Sequence, residues 1–260
     1  MTALFQKGGN MAFFVFIIGT ILGSFFNVCI YRIPEDESIA YPPSHCGKCN
    51  TKLKALDLIP ILSWIFLKGK CRYCKEKISI QYPLIELLTG IVFTTIYLRF
   101  GFGIEFIKYI FLMSILIISA VIDLKTQYVF FSVSLVGIIG GILFAIIEIF
   151  MSKNITSILL SIIIPLLVLG LIILLTRKFE GMGTGDLEIF ILISLYVSPK
   201  VIVVSLFLSI IFGGIVSAII YIKGYRKKHI AFVPYIALGT FIAILFGENI
   251  FNWYLSITMF

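Results

Sequence analysis

The chain of 260 residues is 60% hydrophobic and only 13% charged, and its mean hydropathy is +1.11. Soluble domains carry about 25% charged residues, so this composition excludes a soluble globular protein and indicates a protein with many membrane spans. The formal net charge of +8 therefore reports on topology and on contact with anionic lipid headgroups, and we expect no nucleic-acid partner.

Eight apolar runs follow one another along the chain, and each is a candidate transmembrane helix because a helix needs about 20 apolar residues to cross the hydrocarbon. The runs cover residues 11–30, 84–98, 104–122, 129–150, 156–176, 187–198, 201–222 and 230–247. The first has no small-residue cleavage site, so we expect it to remain as an anchor. The predicted fold is an all-α polytopic membrane protein with about eight transmembrane helices and one small insert.

Composition divides the chain into three parts. Residues 1–30 are the first transmembrane anchor, residues 31–83 are the insert, and residues 84–260 are a membrane domain of seven helices. Within the insert, residues 58–67 are apolar but too few to cross, so this segment is predicted to lie on the bilayer surface. Asp57, directly before it, is either a helix cap or solvated loop charge, or a ligand of a second site.

The basic residues predict the orientation of the chain. Of the 21 Lys and Arg residues, 16 lie in the insert and in the turns 123–128, 177–186 and 223–229, which eight spans would place on one face. Basic residues concentrate on the cytoplasmic side, so this face is predicted to be cytoplasmic and both termini to lie outside. Run 187–198 is about 18 Å long, which is shorter than the hydrocarbon core. If this run only re-enters, the topology of the C-terminal helices changes; we expect it to cross and to draw Asp186 into a hydrated pocket.

The insert contains two Cys-x-x-Cys pairs, Cys46 with Cys49 and Cys71 with Cys74. Four thiolates at this spacing are typical of a tetrahedral zinc site. Two disulfides are the alternative, but thiols in the cytoplasm stay reduced, which favours zinc. With four Cys ligands the metal has no open position, so the zinc is predicted to be structural, in a zinc-ribbon-like insert.

Two of the four aspartates lie next to apolar runs on the predicted cytoplasmic face: Asp123 in "SAVIDLKTQYVF" and Asp186 in "GMGTGDLEIF". A carboxylate at the edge of lipid is costly unless it is paired, hydrated or used in the function. Taken singly, each has a structural alternative. Asp123 can pair with Lys125 or Arg177, and Asp186 can pair with Lys178.

Three glycines frame Asp186 in this segment: Gly181, Gly183 and Gly185. Glycine adopts backbone conformations that are closed to other residues and lets another backbone approach closely. The segment is therefore predicted to admit an extended substrate. The alternative is a plain flexible turn.

These features together resemble the type IV prepilin peptidases, the GxGD-type membrane aspartic proteases that also N-methylate the trimmed pilin. The resemblance covers nearly the whole chain and rests on "GSFFNVCIYRIP", the Cys pairs, "DLIPILSW", "GKCRYCKEKISIQYPLIELLTG" and "GMGTGD". It implies that Asp123 and Asp186 are the catalytic pair. Two carboxyl groups sharing one proton suit such a role, because one activates water while the other protonates the peptide group.

The resemblance also implies the partners and the location. The substrates would be prepilins or pseudopilins, whose short basic leader is cleaved after a glycine at the cytoplasmic face of a bacterial cytoplasmic membrane. S-adenosylmethionine would be the methyl donor. The resemblance alone implies this donor, because the sequence contains no Gly-rich strand-to-helix unit of the kind that binds it.

Two positions depart from the family pattern. After Asp123 the chain reads "KTQYVFFS", where most relatives carry Leu-Pro or Ile-Pro and another acid, and Glu188 stands where they usually carry Lys.

Two other functional classes remain open. An ion- or proton-coupled transporter would use the aspartates as ion sites and would show broken helices in two related halves. A zinc-ribbon scaffold for pilus or secretion assembly would need only the insert.

Overall fold

The structure, a computed structural model, describes residues 2–151, 155–176, 183–223 and 230–258. These residues form nine α-helices and one 3₁₀ turn. The elements are α1 (Thr2–Arg32), the 3₁₀ turn (Ala55–Asp57), α2 (Leu62–Phe66), α3 (Gln81–Phe100), α4 (Ile104–Thr126), α5 (Phe131–Phe150), α6 (Ile155–Thr176), α7 (Thr184–Ser194), α8 (Pro199–Ile222) and α9 (Val233–Thr258). The described residues contain two isolated β-bridges and no strand, so the predicted all-α class is confirmed.

Seven of the nine helices are long and apolar enough to cross a membrane. They are α1, α3, α4, α5, α6, α8 and α9, and they correspond to seven of the eight predicted spans. The remaining run, 187–198, corresponds to α7, which has only 11 residues and is therefore about 16 Å long. Ile189, Phe190, Leu192 and Ile193 of α7 are fully buried, so this short helix packs inside the protein.

Local sequence explains where several helices begin and end. Helix α3 is followed by Gly101, whose φ of +68° lies in the region that favours glycine. Helix α8 begins at Pro199 after Ser198, and the fixed φ of proline suits the first helical position. Pro165 lies inside α6, a position that membrane helices tolerate more readily than soluble ones.

Internal contacts divide the chain into two units, Met1–Phe106 and Ile107–Phe260. In the first unit α1 and α3 pack along each other. Gly19 permits this close approach, since a Cβ there would lie 2.8 Å from the Cα of Gly90. This unit joins α3 to the insert, whereas composition grouped α3 with the later helices; the three-part division stays a prediction.

In the second unit α8 and α9 form an antiparallel hairpin. Ser205 and Thr240 form a hydrogen bond of 2.8 Å between their hydroxyl groups. Lys200 Nζ, at the start of α8, donates to Asn252 Oδ1 in α9 at 3.1 Å. The stretch of α9 from Val233 to Asn252 is about 28 Å long at about 1.5 Å per residue. The start of α8 therefore lies far from the start of α9.

Helix α7 links the two ends of this unit. The backbone N–H of Val233 donates to Asp123 Oδ2 at 3.0 Å, so the end of α4 lies beside the start of α9. Asp186, in the first turn of α7, interacts electrostatically with Asp123 and lies at the same end. Pro199 begins α8 at the opposite end, so α7 and the short turn after it follow the path that a crossing segment needs.

Tyr196, in the turn after α7, ties this segment to α4 and α5. Its hydroxyl donates to the carbonyl oxygen of Gly137 at 2.5 Å. Its ring stacks on Phe111 of α4 and contacts Phe144 of α5, with centroid distances of 6.4 and 6.0 Å. These contacts fix the position of the end of α7 along α4 and α5.

Candidate active site and metal cluster

Asp123 lies in the last turn of α4 and is only 5% exposed. Its carboxylate accepts a hydrogen bond of 3.0 Å from the backbone N–H of Val233 and another from the backbone N–H of Phe232. Both donors stand at the start of α9, where the first N–H groups of a helix have no partner within the helix. The start of α9 therefore both orients and solvates this buried carboxylate.

Asp186 is the third residue of α7, after Gly183 at the N-cap position. A carboxylate in the first turn of a helix is favoured by the helix dipole. Unlike Asp123, this side chain is partly exposed. The negative charges of the two aspartates repel each other, so the structure brings together the pair that the sequence singled out.

The structural alternatives for these aspartates were ion pairs. The described residues form ion pairs that include Arg32–Glu37, Lys48–Glu76, Arg72–Asp57 and Lys108–Glu148, and neither Asp123 nor Asp186 takes part in one. Lys125 thus forms no ion pair with Asp123. Arg177 and Lys178, the other proposed partners, lie outside the described residues. Among the described residues, Asp123 is the charged group that acts on Asp186.

The framing glycines differ in their surroundings. Gly183 has φ −76° and ψ 150°, a conformation open to any residue. At Gly185, a Cβ would lie 2.9 Å from Cγ2 of Val129, so α7 begins in close contact with the segment that follows α4. Gly181 lies outside the described residues. At Gly185, close packing against the protein itself requires the glycine.

The four cysteines of the insert form one cluster. The Sγ atoms of Cys46, Cys49, Cys71 and Cys74 all lie within 4.8 Å of one another, and no disulfide joins them. The Sγ atoms of Cys46 and Cys74 are 3.7 Å apart. A tetrahedral zinc with bonds of about 2.3 Å separates its sulfurs by about 3.8 Å, so the donor set and its dimensions fit this metal.

Hydrogen bonds prepare some of the thiols for ionisation. The hydroxyl and backbone N–H of Thr51 lower the pKa of Cys49 to about 6, and the backbone N–H groups of Cys74 and Tyr73 lower the pKa of Cys71. At Cys74, the N–H of Glu76 acts in the same sense, but burial and bonds to the neighbouring sulfurs raise the pKa to about 11. Crowded thiols do not all ionise unless a cation joins them.

The two cysteine pairs lie in repeated backbone turns. Cys46 N–H donates to Thr51 oxygen at 3.1 Å, and Cys71 N–H donates to Glu76 oxygen at 2.7 Å. In each turn the fourth residue after the first cysteine, Asn50 or Lys75, has positive φ. The isolated bridges His45–Lys52 and Lys70–Lys77 close the turns at matching positions. Only the cysteines and one lysine agree between the two turns, so the repeat is visible in the backbone and not in the sequence.

Asp57 supports the second turn and does not belong to the metal cluster. It accepts hydrogen bonds from Arg72 Nε at 2.5 Å, Tyr73 Oη at 3.0 Å and the backbone N–H of Lys54 at 3.1 Å. Burial opposes its ionisation, but these hydrogen bonds outweigh burial and hold the pKa of Asp57 below its usual range. Its observed role is structural.

Sequence reasoning missed two contacts of buried carboxylates. The first is the contact of Asp123 with the start of α9; its only local signal is Pro234, which suits the first turn of a helix. The second is the hydrogen bond of 2.6 Å from the backbone N–H of Ile61 to Glu86 Oε2. Glu86 is only 6% exposed. Its place near the start of the apolar run 84–98 was the sequence signal that could have indicated a buried carboxylate with a hydrogen-bond donor.

Comparison with known proteins matches two family descriptions in order along the chain. "Bacterial Peptidase A24 N-terminal domain" matches residues 17–100, and "Type IV leader peptidase family" matches residues 110–218. The first contains the cysteine cluster and the second contains both aspartates. No solved structure matches the chain.

Several curated relatives are similar over nearly their whole length, and each is named prepilin leader peptidase/N-methyltransferase. The protein of Bacillus subtilis is 32% identical over 252 residues, which cover 94% of this chain and 98% of the relative. The protein of Aeromonas hydrophila is 31% identical over 93% of both chains. The protein of Neisseria gonorrhoeae is 31% identical over 92% of this chain and 93% of its own. The predicted resemblance is confirmed: the chain belongs to the type IV leader peptidase family.

Proposed function

We propose that this protein is a membrane aspartic endopeptidase that removes the short leader of type IV prepilins or pseudopilins. The observation that carries the proposal is the pairing of Asp123 with Asp186 at one end of the second unit. The names of the relatives support the substrate class. The partial exposure of Asp186 leaves the pair open to water and to an extended chain.

Two carboxyl groups that share one proton hydrolyse a peptide bond by acid–base catalysis. The ionised carboxylate takes a proton from water as the water oxygen attacks the carbonyl carbon. The protonated carboxyl gives its proton to the carbonyl oxygen, which forms a tetrahedral intermediate. The first group then passes its proton to the amide nitrogen as the C–N bond breaks, and the second takes a proton back from a hydroxyl of the intermediate.

We place the pair at the cytoplasmic face of the bacterial cytoplasmic membrane, with both termini outside. The distribution of Lys and Arg supports this orientation. The same rule would keep a basic leader in the cytoplasm ahead of a hydrophobic helix. The cleavage junction of the substrate would then lie at the same face as the aspartates.

The proposal includes N-methylation of the new N-terminal residue, with S-adenosylmethionine as methyl donor. The names of the relatives, which include N-methyltransferase, support this second activity. The described residues form no strand, so they contain no strand-to-helix unit of the kind that commonly binds this donor. The structure therefore assigns no methylation step to particular residues.

We also propose that Cys46, Cys49, Cys71 and Cys74 hold a structural zinc ion. Four thiolates favour zinc among the abundant divalent metals and leave it no open coordination position. The ion would supply folding energy to an insert that has little apolar core. It would take no part in hydrolysis.

The test uses purified protein in lipid with a candidate prepilin as substrate. Asp123→Asn and Asp186→Asn should each abolish cleavage, because an amide cannot take up or release the proton. Asp36→Asn is the matched control. Asp36 is exposed with φ 55°, a conformation that asparagine adopts equally well.

Loss of cleavage in both dyad variants, with expression, membrane insertion and metal content equal to the parent, would support the proposal. Cleavage by either variant at a rate near that of the parent would show that the dyad assignment is wrong. Failure of the unaltered protein to cleave any prepilin, together with ion flux that depends on the aspartates, would favour a transporter instead.

A further inference from the structure

The two aspartates stand in unequal surroundings. Asp123 is buried and accepts hydrogen bonds from two backbone N–H groups, those of Phe232 and Val233. Asp186 is partly exposed, and its carboxylate is close to one backbone N–H, that of Gly183. Hydrogen bonds from N–H groups stabilise the ionised form of a carboxyl group, since a carboxylate is the better acceptor.

Both aspartates lie at the N-terminal ends of helices, Asp186 in the first turn of α7 and Asp123 beside the start of α9, so the two N–H donors and not the helix dipoles distinguish them. Helix α9 has 26 residues, and its N-terminal end carries a partial positive charge that faces Asp123. Titratable groups on the elements around the pair also contribute to the local field. Among the described residues they are Lys125 on α4, Asp186 and Glu188 on α7, Lys223 at the end of α8 and Tyr235 on α9. Lys125 and Lys223 are exposed, so Asp186 is the charged partner with the most direct effect.

We propose that the start of α9 fixes the division of labour in the dyad, so that Asp123 is the base that activates water and Asp186 carries the shared proton. This inference rests on the proposed function of the pair. Val233 acts through Asp123 and is a positioning residue. Its backbone N–H binds Asp123, so the identity of the side chain at position 233 does not indicate this role.

With these roles, every proton transfer of the reaction has a named donor and acceptor. Asp123 Oδ2 or Oδ1 removes one proton from water while the new C–O bond forms, and Asp186 protonates the carbonyl oxygen. Asp123 then delivers its proton to the leaving nitrogen as the C–N bond breaks. Asp186 recovers a proton from a hydroxyl of the intermediate as the carboxyl product forms. Water is the only other reactant, and both aspartates return to their starting states.

The test removes one N–H group and leaves Asp123 in place. In Val233→Pro the donor is lost, and the first position of a helix accepts proline because its N–H has no helical partner. Val233 already precedes Pro234, so its backbone is compatible with a following proline. Val233→Ala is the matched control, since it removes most of the buried side chain and keeps the N–H.

The readout is the pH dependence of kcat/KM for cleavage of a prepilin. The acid limb of this profile reports the group that must be ionised, and the basic limb reports the group that must be protonated. Loss of the N–H makes ionisation of Asp123 harder, so Val233→Pro should move the acid limb upward by about one pH unit. Val233→Ala should leave both limbs within a few tenths of a unit of the parent.

A shift of the basic limb alone would make Asp123 the acid and would overturn the assignment. An unchanged profile in an active, folded Val233→Pro variant would overturn it as well. Both outcomes leave the proposed function intact, because that function fails only if Asp123→Asn or Asp186→Asn retains activity.

A second measurement does not depend on folding of the proline variant. In Asp186→Asn and Asp123→Asn proteins with isotope-labelled aspartate, subtracting the infrared spectrum of the double variant removes the bands of Asp36 and Asp57 and leaves the band of the remaining member of the pair. The Asp123 band should change to the carboxylate position at a lower pH than the Asp186 band. The reverse order, or coincident transitions, would contradict the assignment.

Discussion

Gly185 lies at the point where α7 meets the segment after α4. A Cβ at this position would lie 2.9 Å from Cγ2 and 3.0 Å from Cβ of Val129, whereas a Cβ at Gly183 would lie 3.8 Å from Asp186 Oδ2. The second distance is an ordinary contact. The two glycines of the same motif therefore carry different constraints, and only Gly185 bears on the distance between the aspartates.

Gly185→Ala should lower cleavage by about 100-fold, since a misplacement of about 1 Å at a catalytic group has an effect of that size. Gly183→Ala should have a much smaller effect. Val129→Ala removes the nearest atom, so the double variant Gly185→Ala with Val129→Ala should recover part of the lost activity. The measurement is the steady-state cleavage rate of the parent, Gly185→Ala, Gly183→Ala and the double variant. Equal losses at both glycines, without recovery, would contradict a packing role for Gly185.

For single residues, the sequence alone predicted which side chains carry the chemistry, but it did not predict which groups contact them. Asp123, Asp186 and the four cysteines were recognisable because carboxylates beside apolar runs and paired cysteines are rare and costly without a role. The bond from Val233 to Asp123 joins residues 110 positions apart. It uses a backbone donor that every residue except proline has, so no residue type signals it.

The insert is the element whose stability depends most on one ligand. Its two cysteine turns are joined by the Lys48–Glu76 ion pair, with Nζ and Oε2 2.5 Å apart, but both side chains are exposed and such pairs contribute little. Apolar side chains of this region face outward, with Phe66 79% exposed. The cluster of sulfurs is therefore its main source of internal stability once a metal binds.

Purified protein should contain about one zinc per chain, because four thiolates at tetrahedral spacing bind this ion tightly. Replacing any one of Cys46, Cys49, Cys71 or Cys74 with Ser should bring the zinc content close to zero and expose the insert to proteases. Cys29→Ser, in the buried face of α1, is the matched control and should keep the metal. Elemental analysis and limited proteolysis measure both effects. Well-folded protein that lacks metal would rule out this role.

Glu86 of α3 holds the turn before α2. Ile61 has φ 62° and ψ −53°, a strained conformation for a β-branched residue. Its N–H donates to Glu86 Oε2 at 2.6 Å, and the N–H of Leu62 bonds to the oxygen of Pro60 at 2.5 Å. The carboxylate thus stabilises a turn that the local sequence disfavours.

Glu86→Ala should destabilise this turn by about 2 kcal/mol, the usual contribution of a hydrogen bond to a buried charged acceptor. Glu86→Gln keeps an acceptor oxygen of the same reach and should lose less. Protease cleavage within residues 58–67 should rise in the alanine variant and stay near the parent level in the glutamine variant. Equal cleavage in all three proteins would show that the turn forms without Glu86.

The path of the whole chain depends on α7. Asp123, Asp186 and Val233 lie at one end of the second unit, and Lys200 lies at the other, beside Asn252. A segment that ran only part of the way and returned would put Lys200 at the same end as Val233. Within the second unit α7 therefore leads from one end to the other, as the prediction of eight spans requires.

Reporter fusions after Lys125 and Arg226 should give one signal, and fusions after Lys153 and Lys200 the opposite signal. With the basic-residue rule, the first pair is cytoplasmic and the second external. A signal at 200 that matches the signal at 125, together with the opposite signal at 226, would contradict the passage through α7. Reversal of all four signals would leave the path intact and overturn only the orientation.

In the whole molecule, the sequence predicted seven helices well because each of them is a long apolar run. It predicted α7 least well, since 11 residues lie below the length that marks a span. The run from 187 to 198 was apolar enough, but only its long-range contacts, such as that of Tyr196 with Gly137, show where it goes. The division into units also depends on contacts, because the packing of α3 along α1 joins α3 to the first unit.

The gap of 3.7 Å between Cys46 Sγ and Cys74 Sγ joins positions 28 residues apart. A metal ion that joins the two sulfurs closes a loop, and by chain-entropy arguments closing a loop of this length costs about 3–4 kcal/mol, which metal binding has to offset. Closure cost grows only slowly with loop length. Inserting about ten residues between the two cysteine turns would therefore raise this closure cost by only a few tenths of a kcal/mol, so the length of this segment is free to vary while the four cysteines are kept.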